Sequence, residues 1–428
     1  MNIRFVKVKD VVHKKFTKDV IINLTSSFVI ASSGILINTL IGKYYGAHAL
    51  GIYNSALAIY LIISIISVVG IPTSILKYSA ETGDNSKPLN EAVSSGLILI
   101  ATTSCITTFI FYKILQFNLL PIGNNLHAAI KTMLPAIPFF ALNKGFRSFL
   151  NGIRQMKFYA FFESLRWLII SAFTISSVIS GNGLLFIFSG FLVAESFLLI
   201  ILISYTRRYF KLQIVLTIIN YIEHLKFGFK TSLSGSISII NNKIDILMIA
   251  YFTSQYYVGI YSLASEITKG LLLLSSVVQI NFNPIISDLT SRSDISQLEG
   301  YIKKIRRVML IVVSLVVICA IILFPLYILY IMQSSHYYAS IPIFYILLFG
   351  VGLASLFLWC GSIPSMAGFP EDSIKRSSIL ILSTIVLNLI LIPSFGITGA
   401  AIAVSCAYII RLFTLRYYVL KRLGIKLF

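Results

Sequence analysis

The sequence predicts an all-α polytopic membrane protein of about twelve transmembrane helices, and three observations support this fold class. The 428 residues are 57% hydrophobic and only 12% charged, with a mean hydropathy of +0.89, which leaves too little charged surface for a soluble protein. The apolar residues come in runs of about 20, the length of a membrane-crossing helix. The net charge of +20 is concentrated in short clusters between these runs, as in cytoplasmic loops, and this distribution argues against a nucleic-acid partner.

The apolar runs define the predicted spans. The first run follows a basic N-terminal tail and is too long for the apolar part of a cleaved signal peptide, so we predict a retained helix. Prolines inside later runs predict kinks. The spans are 20–41, 52–76, 91–113, 128–150, 158–180, 184–205, 229–252, 257–286, 305–330, 341–366, 374–393 and 397–417.

The distribution of positive charge predicts the orientation. An even number of spans puts both termini on one side of the membrane, and cytoplasmic segments are enriched in lysine and arginine. With the N-terminus inside, most of the 35 lysines and arginines fall on inner segments, among them Arg166 and Arg376. We therefore predict that both termini are cytoplasmic.

An internal repeat relates the two halves of the chain. Residues 41–56, between the first two spans, align without a gap to residues 249–264, between the seventh and eighth. Gly51-Ile52-Tyr53 and Gly259-Ile260-Tyr261 match identically. Because six spans separate the two segments, both start from the same side, and the repeat is parallel. Two such bundles suit alternating access to a central site.

The repeat divides the chain into an N-terminal lobe (1–205) and a C-terminal lobe (229–428), each with six helices. Residues 206–228 join them and are too long for a hairpin loop. Their apolar residues recur at helical spacing with basic residues around them. We predict an amphipathic helix on the cytoplasmic surface, held there by anionic lipid.

Ionisable residues inside the spans are candidates for function because they are costly in a bilayer. Lys243 and Asp245 lie in the seventh span, and Glu266 and Lys269 in the eighth. One interpretation is a water-filled cavity whose lysines attract an anionic headgroup and whose carboxylates bind a coupling cation. The other is that Lys243–Glu266 and Asp245–Lys269 are ion pairs that join helices.

Other polar positions extend this candidate site. Thr384 and Asn388 lie one turn apart in the eleventh span, and with Asp245 and Ser405 they could form an oxygen-lined Na⁺ site; interhelical hydrogen bonding is the alternative. Arg147 could guide a diphosphate into an inward-open cavity, although positive-inside placement explains it equally well. The predicted substrate-binding cations are thus Lys243, Lys269 and Arg147, and the predicted ion-coupling residues are Asp245, Glu266, Thr384 and Asn388.

The sequence contains no enzyme signature: it has no phosphate-binding loop, no Gly-x-Ser-x-Gly and no zinc motif. The five histidines are scattered, so we expect no metal site. We predict a non-enzymatic protein without a cofactor other than Na⁺ or H⁺ as the coupling ion.

Two segments resemble a known family. Residues 42–53 (GKYYGAHALGIY) follow a basic tail and a polar first span, and residues 245–252 (DILMIAYF) precede 258–262 (VGIYS) in the second half. Together they resemble the polysaccharide-transport branch of the multidrug/oligosaccharidyl-lipid/polysaccharide exporter superfamily, which includes the Wzx-type O-antigen flippases. The resemblance covers essentially the whole chain. It implies a V-shaped molecule with a central cavity.

The resemblance also implies a function. Such proteins flip undecaprenyl-diphosphate-linked oligosaccharide from the cytoplasmic to the periplasmic leaflet of the bacterial inner membrane, driven by an ion gradient. Lys243 and Lys269 match the cationic cavity lining. Membrane lipids, a polysaccharide polymerase and a chain-length regulator are the other partners implied. The uncharged first span departs from the lipid II flippases, which carry arginines there, so lipid II is not the expected substrate.

Two other functions are compatible with the hydrophobicity. A drug/cation antiporter of the same fold would carry acidic residues in the core of the first lobe, and here the interiors of the first four spans have none. A polysaccharide polymerase or ligase would need a large outer loop, and the longest predicted one is about eleven residues, 117–127. A lipid-linked oligosaccharide flippase therefore remains the prediction.

Overall fold

The computed structural model describes residues 2–81, 87–214, 217–292 and 294–427, with the backbone alone described for 2–21, 230–236, 238 and 284. Within these residues the protein is helical throughout. The helices are α1 (Asn2–Tyr44), α2 (Gly46–Val68), α3 (Ile71–Glu81), α4 (Lys87–Gln116), α5 (Asn124–Met133), α6 (Ala136–Gly152), α7 (Met156–Ser180), α8 (Leu184–Thr206), α9 (Ile218–Phe252), α10 (Gln255–Lys269), α11 (Leu271–Ser291), α12 (Ile295–Leu326), α13 (Ser340–Ser355), α14 (Ile363–Met366) and α15 (Pro370–Leu423).

Nine stretches of the described chain are long and apolar enough to cross a membrane, against about twelve expected from the sequence. The all-α multi-pass fold is confirmed. One difference lies at 128–150, which is divided into α5 and α6 next to Pro135, so that neither piece is long enough by itself. Another lies in α15, where Gly396 adopts φ 57° and ψ −135° and separates two predicted spans that otherwise run together.

The predicted linker and the seventh span form one helix instead of two. Helix α9 begins at Ile218, inside the predicted linker, and continues without interruption to Phe252. The predicted second span is also redrawn, because α2 ends at Val68 and α3 begins after a turn in which Gly70 has φ 70°. Sequence periodicity identified these helices but not their ends.

Helix α12 shows the surface expected of a membrane-facing helix. Its central residues are apolar and mostly exposed, and such a surface is expected to face lipid rather than water. The helix contains Pro325 in its last turn and ends at Leu326, and one turn of π-helix (Tyr327–Met332) follows. The exposed apolar residues of α12 include Leu310, Ile311, Leu315, Ile318, Ile322 and Leu323.

The helices pack into two compact units. The first contains the chain up to Ile37 together with Tyr60–Leu233, and the second contains Asn38–Ile59 and the chain from Ser234 onward. In the first unit α6 packs against α3, α4, α7 and α8 around a core that includes Phe146, Phe149 and Leu202. In the second, α11, α12, α14 and α15 surround a core that includes Phe282 and Trp359.

The start of α9 is anchored to the first unit by a buried histidine. His224 is 1% exposed; its Nδ1 lies 2.7 Å from Ser74 Oγ, and its Nε2 lies 2.9 Å from the Ala92 carbonyl oxygen. Burial lowers the pKa of His224, which favours the neutral ring. A neutral ring satisfies both contacts when Nε2–H donates to Ala92 and the Ser74 hydroxyl donates to Nδ1. The opposite face of this segment leaves Ile218, Ile219 and Ile222 exposed.

The two copies of the internal repeat contact each other inside the second unit. A Cβ on Gly51 would overlap the carbonyl oxygen of Gln255, and a Cβ on Gly259 would overlap that of Ala47. The two contacts are reciprocal, because Ala47 and Gln255 occupy equivalent positions in the repeat, as do the two glycines. Only glycine allows the backbones of α2 and α10 to approach this closely.

A hydrogen bond between equivalent residues completes this glycine junction. Asn54 Nδ2 donates to Ser262 Oγ at 3.0 Å, across 208 residues, and to Asn38 Oδ1 at 2.8 Å. Buried polar bonds of this kind join helices where no water competes. The two copies of the sequence repeat, in α2 and α10, therefore pack directly against each other.

We predict that Gly51→Ala lowers the melting temperature of the purified protein. The added methyl group meets a backbone carbonyl that cannot rotate aside, and overpacking of this kind costs about 1–3 kcal/mol. Gly300→Ala is the matched control, because nothing lies within 4 Å of an added Cβ there and the position is an exposed helical one. Equal melting of Gly51→Ala and wild type would contradict the close packing.

Candidate functional site

The charged residues predicted in the seventh and eighth spans form two ion pairs in the second unit. Lys243 Nζ lies 2.6 Å from Glu266 Oε1, and Lys269 Nζ lies 3.2 Å from Asp245 Oδ2. Each pair joins α9 to α10. These are the two ion pairs that the sequence analysis gave as the alternative to a water-filled cavity. A buried charge in a low-dielectric environment is stable only next to an opposite charge.

Asp245 is the most enclosed member of the set. It is 1% exposed, accepts a hydrogen bond from the Tyr261 hydroxyl at 2.8 Å, and accepts one from the Ile246 amide at 2.9 Å. Lys269 also donates to the Asn242 carbonyl at 2.8 Å. The Asn242 carbonyl and the Ile246 amide are partners in a regular helix, so the charged side chains engage both ends of one backbone hydrogen bond of α9.

A small cavity with both polar and apolar lining residues lies beside Asp245 and Lys269, within the second unit. Its free volume of about 10 Å³ is close to what one water molecule needs. Thr384 Oγ1, at its edge, donates to Asn241 Oδ1 at 3.0 Å. The lining residues are Asn241, Asp245, Lys269, Leu380, Thr384, Val404, Ala407 and Tyr408.

This cavity brings together two of the predicted ion-coupling residues, Asp245 and Thr384. Asn388 is fully buried one turn beyond Thr384, and both of its amide atoms are without a hydrogen-bond partner in the described structure. Ser405 donates instead to the Ile346 carbonyl at 2.8 Å. Glu266 is held by Lys243.

The oxygen atoms of the cavity are of the kind that bind Na⁺ or accept H⁺, namely a carboxylate, an amide and hydroxyl groups. Lys269, however, places an ammonium group on the carboxylate where a free cation would bind. A cation can therefore bind Asp245 only in competition with Lys269. Within the described residues, no three His, Cys, Asp or Glu side chains are grouped as a metal site.

The first unit contains a buried polar cluster that the sequence analysis did not assemble. Arg166 forms an ion pair with Glu195, which is fully buried, and Asn143 Nδ2 donates to Glu195 Oε2 at 2.8 Å. Arg166, which the charge distribution groups with the cytoplasmic segments, is a buried residue of α7 with 4% exposure and not part of a solvent-exposed loop. The signal was present in Glu195, an acidic residue near the middle of an apolar run, which requires a cation nearby.

Arg147, the third predicted substrate-binding cation, is also paired. It is 4% exposed and forms an ion pair with Glu163 of α7. Lys243, Lys269 and Arg147 therefore each have a carboxylate within salt-bridge distance. An anionic headgroup could bind any of them only by replacing that carboxylate.

The family model described as polysaccharide biosynthesis protein matches residues 16–290 of the chain. An uncharacterised membrane protein of Methanocaldococcus jannaschii is 24% identical over 407 residues, which cover 90% of this chain and 93% of the relative. A probable low-salt glycan biosynthesis flippase of Haloferax volcanii is 27% identical over 183 residues, 42% of this chain and 38% of that protein.

Solved structures with the same fold include the lipid II flippase MurJ in an inward closed conformation. It aligns with a TM-score of 0.78 and 16% identity, covering 93% of this chain and 87% of that one. An inward-facing multidrug resistance MATE family transporter of the MOP superfamily aligns with a TM-score of 0.71 and 14% identity, covering 94% and 98%. The fold is thus that of multi-pass flippases and transporters, and the protein is not an enzyme.

We predict that Lys269→Met destabilises the purified protein more than the double variant Lys269→Met/Asp245→Asn. The single change leaves the Asp245 carboxylate buried without its cation, at a cost on the order of 3 kcal/mol, whereas the double change removes both charges. Thermal unfolding in detergent measures both.

The exposed pair Asp288–Arg292 provides the control for this comparison. Arg292→Met should leave the melting temperature within experimental error of wild type, because exposed pairs contribute little. If Lys269→Met and the double variant melt at the same temperature, an unpaired Asp245 carboxylate is not what destabilises the single variant, and the prediction fails.

Proposed function

The chain belongs to the polysaccharide biosynthesis protein family, and from this membership we propose that it is a flippase for lipid-linked glycan. The family match over residues 16–290 is the observation that carries the proposal. The Haloferax volcanii relative supports it, because that protein is itself a probable glycan biosynthesis flippase. Common folds host different substrates, so the resemblance to MurJ supports the transport mode rather than the cargo.

The substrate we propose is an undecaprenyl-diphosphate-linked oligosaccharide, a repeat unit of O-antigen or a related surface polysaccharide. It moves from the cytoplasmic to the outer leaflet of a bacterial inner membrane. A polysaccharide polymerase and a chain-length regulator then act on the product. The two matched relatives are archaeal, so they support the lipid-linked glycan and leave the carrier to be tested.

The mechanism we propose is alternating access between two six-helix lobes, 1–205 and 229–428, with both termini and the connecting segment 206–228 on the cytoplasmic side. The internal repeat supports this arrangement, because equivalent bundles can exchange two equivalent orientations. The glycine junction of α2 and α10 supports it as well, because it joins equivalent positions of the two repeats through their backbones.

Ion coupling, in this proposal, is an exchange of partners at Asp245. Entry of Na⁺ or H⁺ to the cavity neutralises the carboxylate and releases the Lys269 ammonium group, which then attracts the diphosphate. Tyr261 connects this exchange to the glycine junction, because it donates to Asp245 and lies two residues after Gly259. The arrangement makes headgroup binding conditional on cation binding.

Complementation tests the function. Deleting the gene should abolish surface polysaccharide and trap carrier-linked repeats inside the cell, and wild type should restore export. Asp245→Ala, Lys243→Ala and Lys269→Ala should express but restore less than about a tenth of the surface polymer, a loss of the size that one ion pair implies. Surface polymer is measured by gel and carrier-linked repeats by mass spectrometry.

Lys303→Ala is the control, because Lys303 is exposed and pairs only with Glu299 one turn away. It should restore export fully. A deletion strain that keeps its surface polysaccharide but becomes sensitive to cationic drugs would identify a drug/cation antiporter and overturn the proposed function.

A further inference from the structure

Three arginines are buried in the described part of the chain, and one of them has no acidic partner. Arg147 is paired with Glu163 and Arg166 with Glu195. Arg376 is only 5% exposed, and no carboxylate lies within salt-bridge distance of it among the described residues. An uncompensated buried charge is costly, so its presence requires an explanation.

The hydrogen bonds of Arg376 are incomplete. Its Nη1 donates to the Gly361 carbonyl at 2.8 Å, while its buried Nε has no partner. A guanidinium group has five N–H donors in a planar fork that fits the oxygen atoms of a phosphate or carboxylate. A single neutral carbonyl leaves most of this capacity unused.

A second arginine adds to the positive charge. Arg411, on the other half of α15, is partly buried and close enough for its charge to act on Arg376. The nearest acidic residue, Asp372, is already bound by Arg422, whose Nε lies 2.7 Å from Oδ2 and whose Nη2 lies 3.3 Å from Oδ1. Two guanidinium groups therefore share a region without a free carboxylate.

Gly361 lies beside these donors. A Cβ on Gly361 would lie 2.8 Å from the Leu358 carbonyl oxygen, 3.5 Å from Gln279 Nε2 and 3.9 Å from Arg376 Nη2, so the two nitrogens approach the same short stretch of backbone. Gln279 contributes a third donor group, from α11. The region combines positive charge with several hydrogen-bond donors, which are what an oxyanion binds.

Both arginines lie on the helix that also lines the cavity beside Asp245. Arg376 lies one turn before Leu380 and two turns before Thr384 on α15, and Arg411 lies one turn after Tyr408. Leu380, Thr384 and Tyr408 all line that cavity. A ligand on the two arginines would therefore contact the same two segments of α15 that carry cavity residues.

We propose that Arg376 and Arg411 bind the phosphate groups of an anionic lipid headgroup, and that the natural ligand is the diphosphate of the lipid-linked glycan. This inference rests on the proposed function, and it assigns the first headgroup contact to a pair of cations different from Lys243, Lys269 and Arg147. Those three each have a carboxylate partner, whereas Arg376 and Arg411 have charge to spare for a ligand. Arg376 lies near the start of α15 and Arg411 near its end, and the distribution of positive charge places both ends toward the cytoplasm. In the proposed function, the substrate is made on that side of the membrane.

Direct binding tests the site. Purified wild type in neutral nanodiscs is titrated with geranylgeranyl diphosphate, a short lipid diphosphate, and with inorganic pyrophosphate; a third titration uses nanodiscs that contain phosphatidylglycerol. Arg376→Gln and Arg411→Gln should each raise the Kd for geranylgeranyl diphosphate at least about tenfold, since hydrogen bonds to charged groups are the strong ones. Arg376→Lys should have an intermediate effect, because it keeps the charge and loses the fork.

Arg307→Gln is the matched control, since Arg307 is an exposed arginine of α12. It should bind as wild type does. Equal affinities for wild type and both glutamine variants would overturn the site. Pyrophosphate binding as tight as geranylgeranyl diphosphate would identify a free-phosphate site, and full displacement by phosphatidylglycerol would identify a general phospholipid site; either result overturns the substrate assignment. If Arg376→Gln does not fold, Arg411→Gln and Arg376→Lys carry the test.

The complementation assay separates this inference from the proposed function. If wild type does not restore surface polysaccharide, the function fails whatever the binding data. If wild type restores it and the two glutamine variants restore it equally, the function stands and the arginine site is wrong.

Discussion

The pairing of buried charges is the constraint on which this structure depends. Moving a charge from water into a membrane-embedded helix bundle is costly, and the cost is recovered only if an opposite charge and further hydrogen bonds meet it there. Arg166 with Glu195, Arg147 with Glu163, Lys243 with Glu266, and Lys269 with Asp245 each join residues far apart in the sequence. Every one of these pairs fixes a helix against its neighbour within its own unit.

The same constraint explains how structure and transport can be connected. An ion pair that stabilises one arrangement of helices can be opened by an ion or headgroup that takes the place of one of its two members. The charges that stabilise the fold are therefore also the charges with which a substrate or coupling ion can interact. Asp245 is the clearest example, because it contacts Lys269, Tyr261 and the backbone of its own helix, and Tyr261 belongs to the repeated motif at the glycine junction. Replacement of Lys269 at Asp245 can therefore affect the glycine junction between α2 and α10 through Tyr261.

Much of the fold followed from hydrophobicity, because run length and charge distribution are direct consequences of the bilayer. The two pairs of α9 and α10 were among the sequence alternatives, since their depths in neighbouring spans were similar. The ends of the helices could not be predicted as well. The kink at Gly396 and the uninterrupted course of α9 depend on backbone torsions and packing, which cannot be inferred from composition. Repeat detection found Gly51 and Gly259, but not that they contact each other.

The arginines were misjudged for a common reason. A basic residue near the end of an apolar run looks like part of a solvent-exposed loop, but Arg166 and Arg376 lie buried inside helices. The spacing of Asp372, Arg376, Thr384 and Asn388 could have indicated the second case, because residues four apart share one buried face of α15. Partners distant in sequence, such as Glu195 for Arg166, become visible only when the helices are assembled.

The most direct measurement of the central claim is transport by the purified protein in liposomes. A diphosphate-linked glycan lipid is placed in one leaflet, and its appearance in the other is followed by lectin accessibility, with a cationic dye as the competing cargo. The account predicts protein-dependent movement of the glycan lipid, stimulated by a Na⁺ or H⁺ gradient, and no dye transport. Dye movement with a stationary glycan lipid would contradict it.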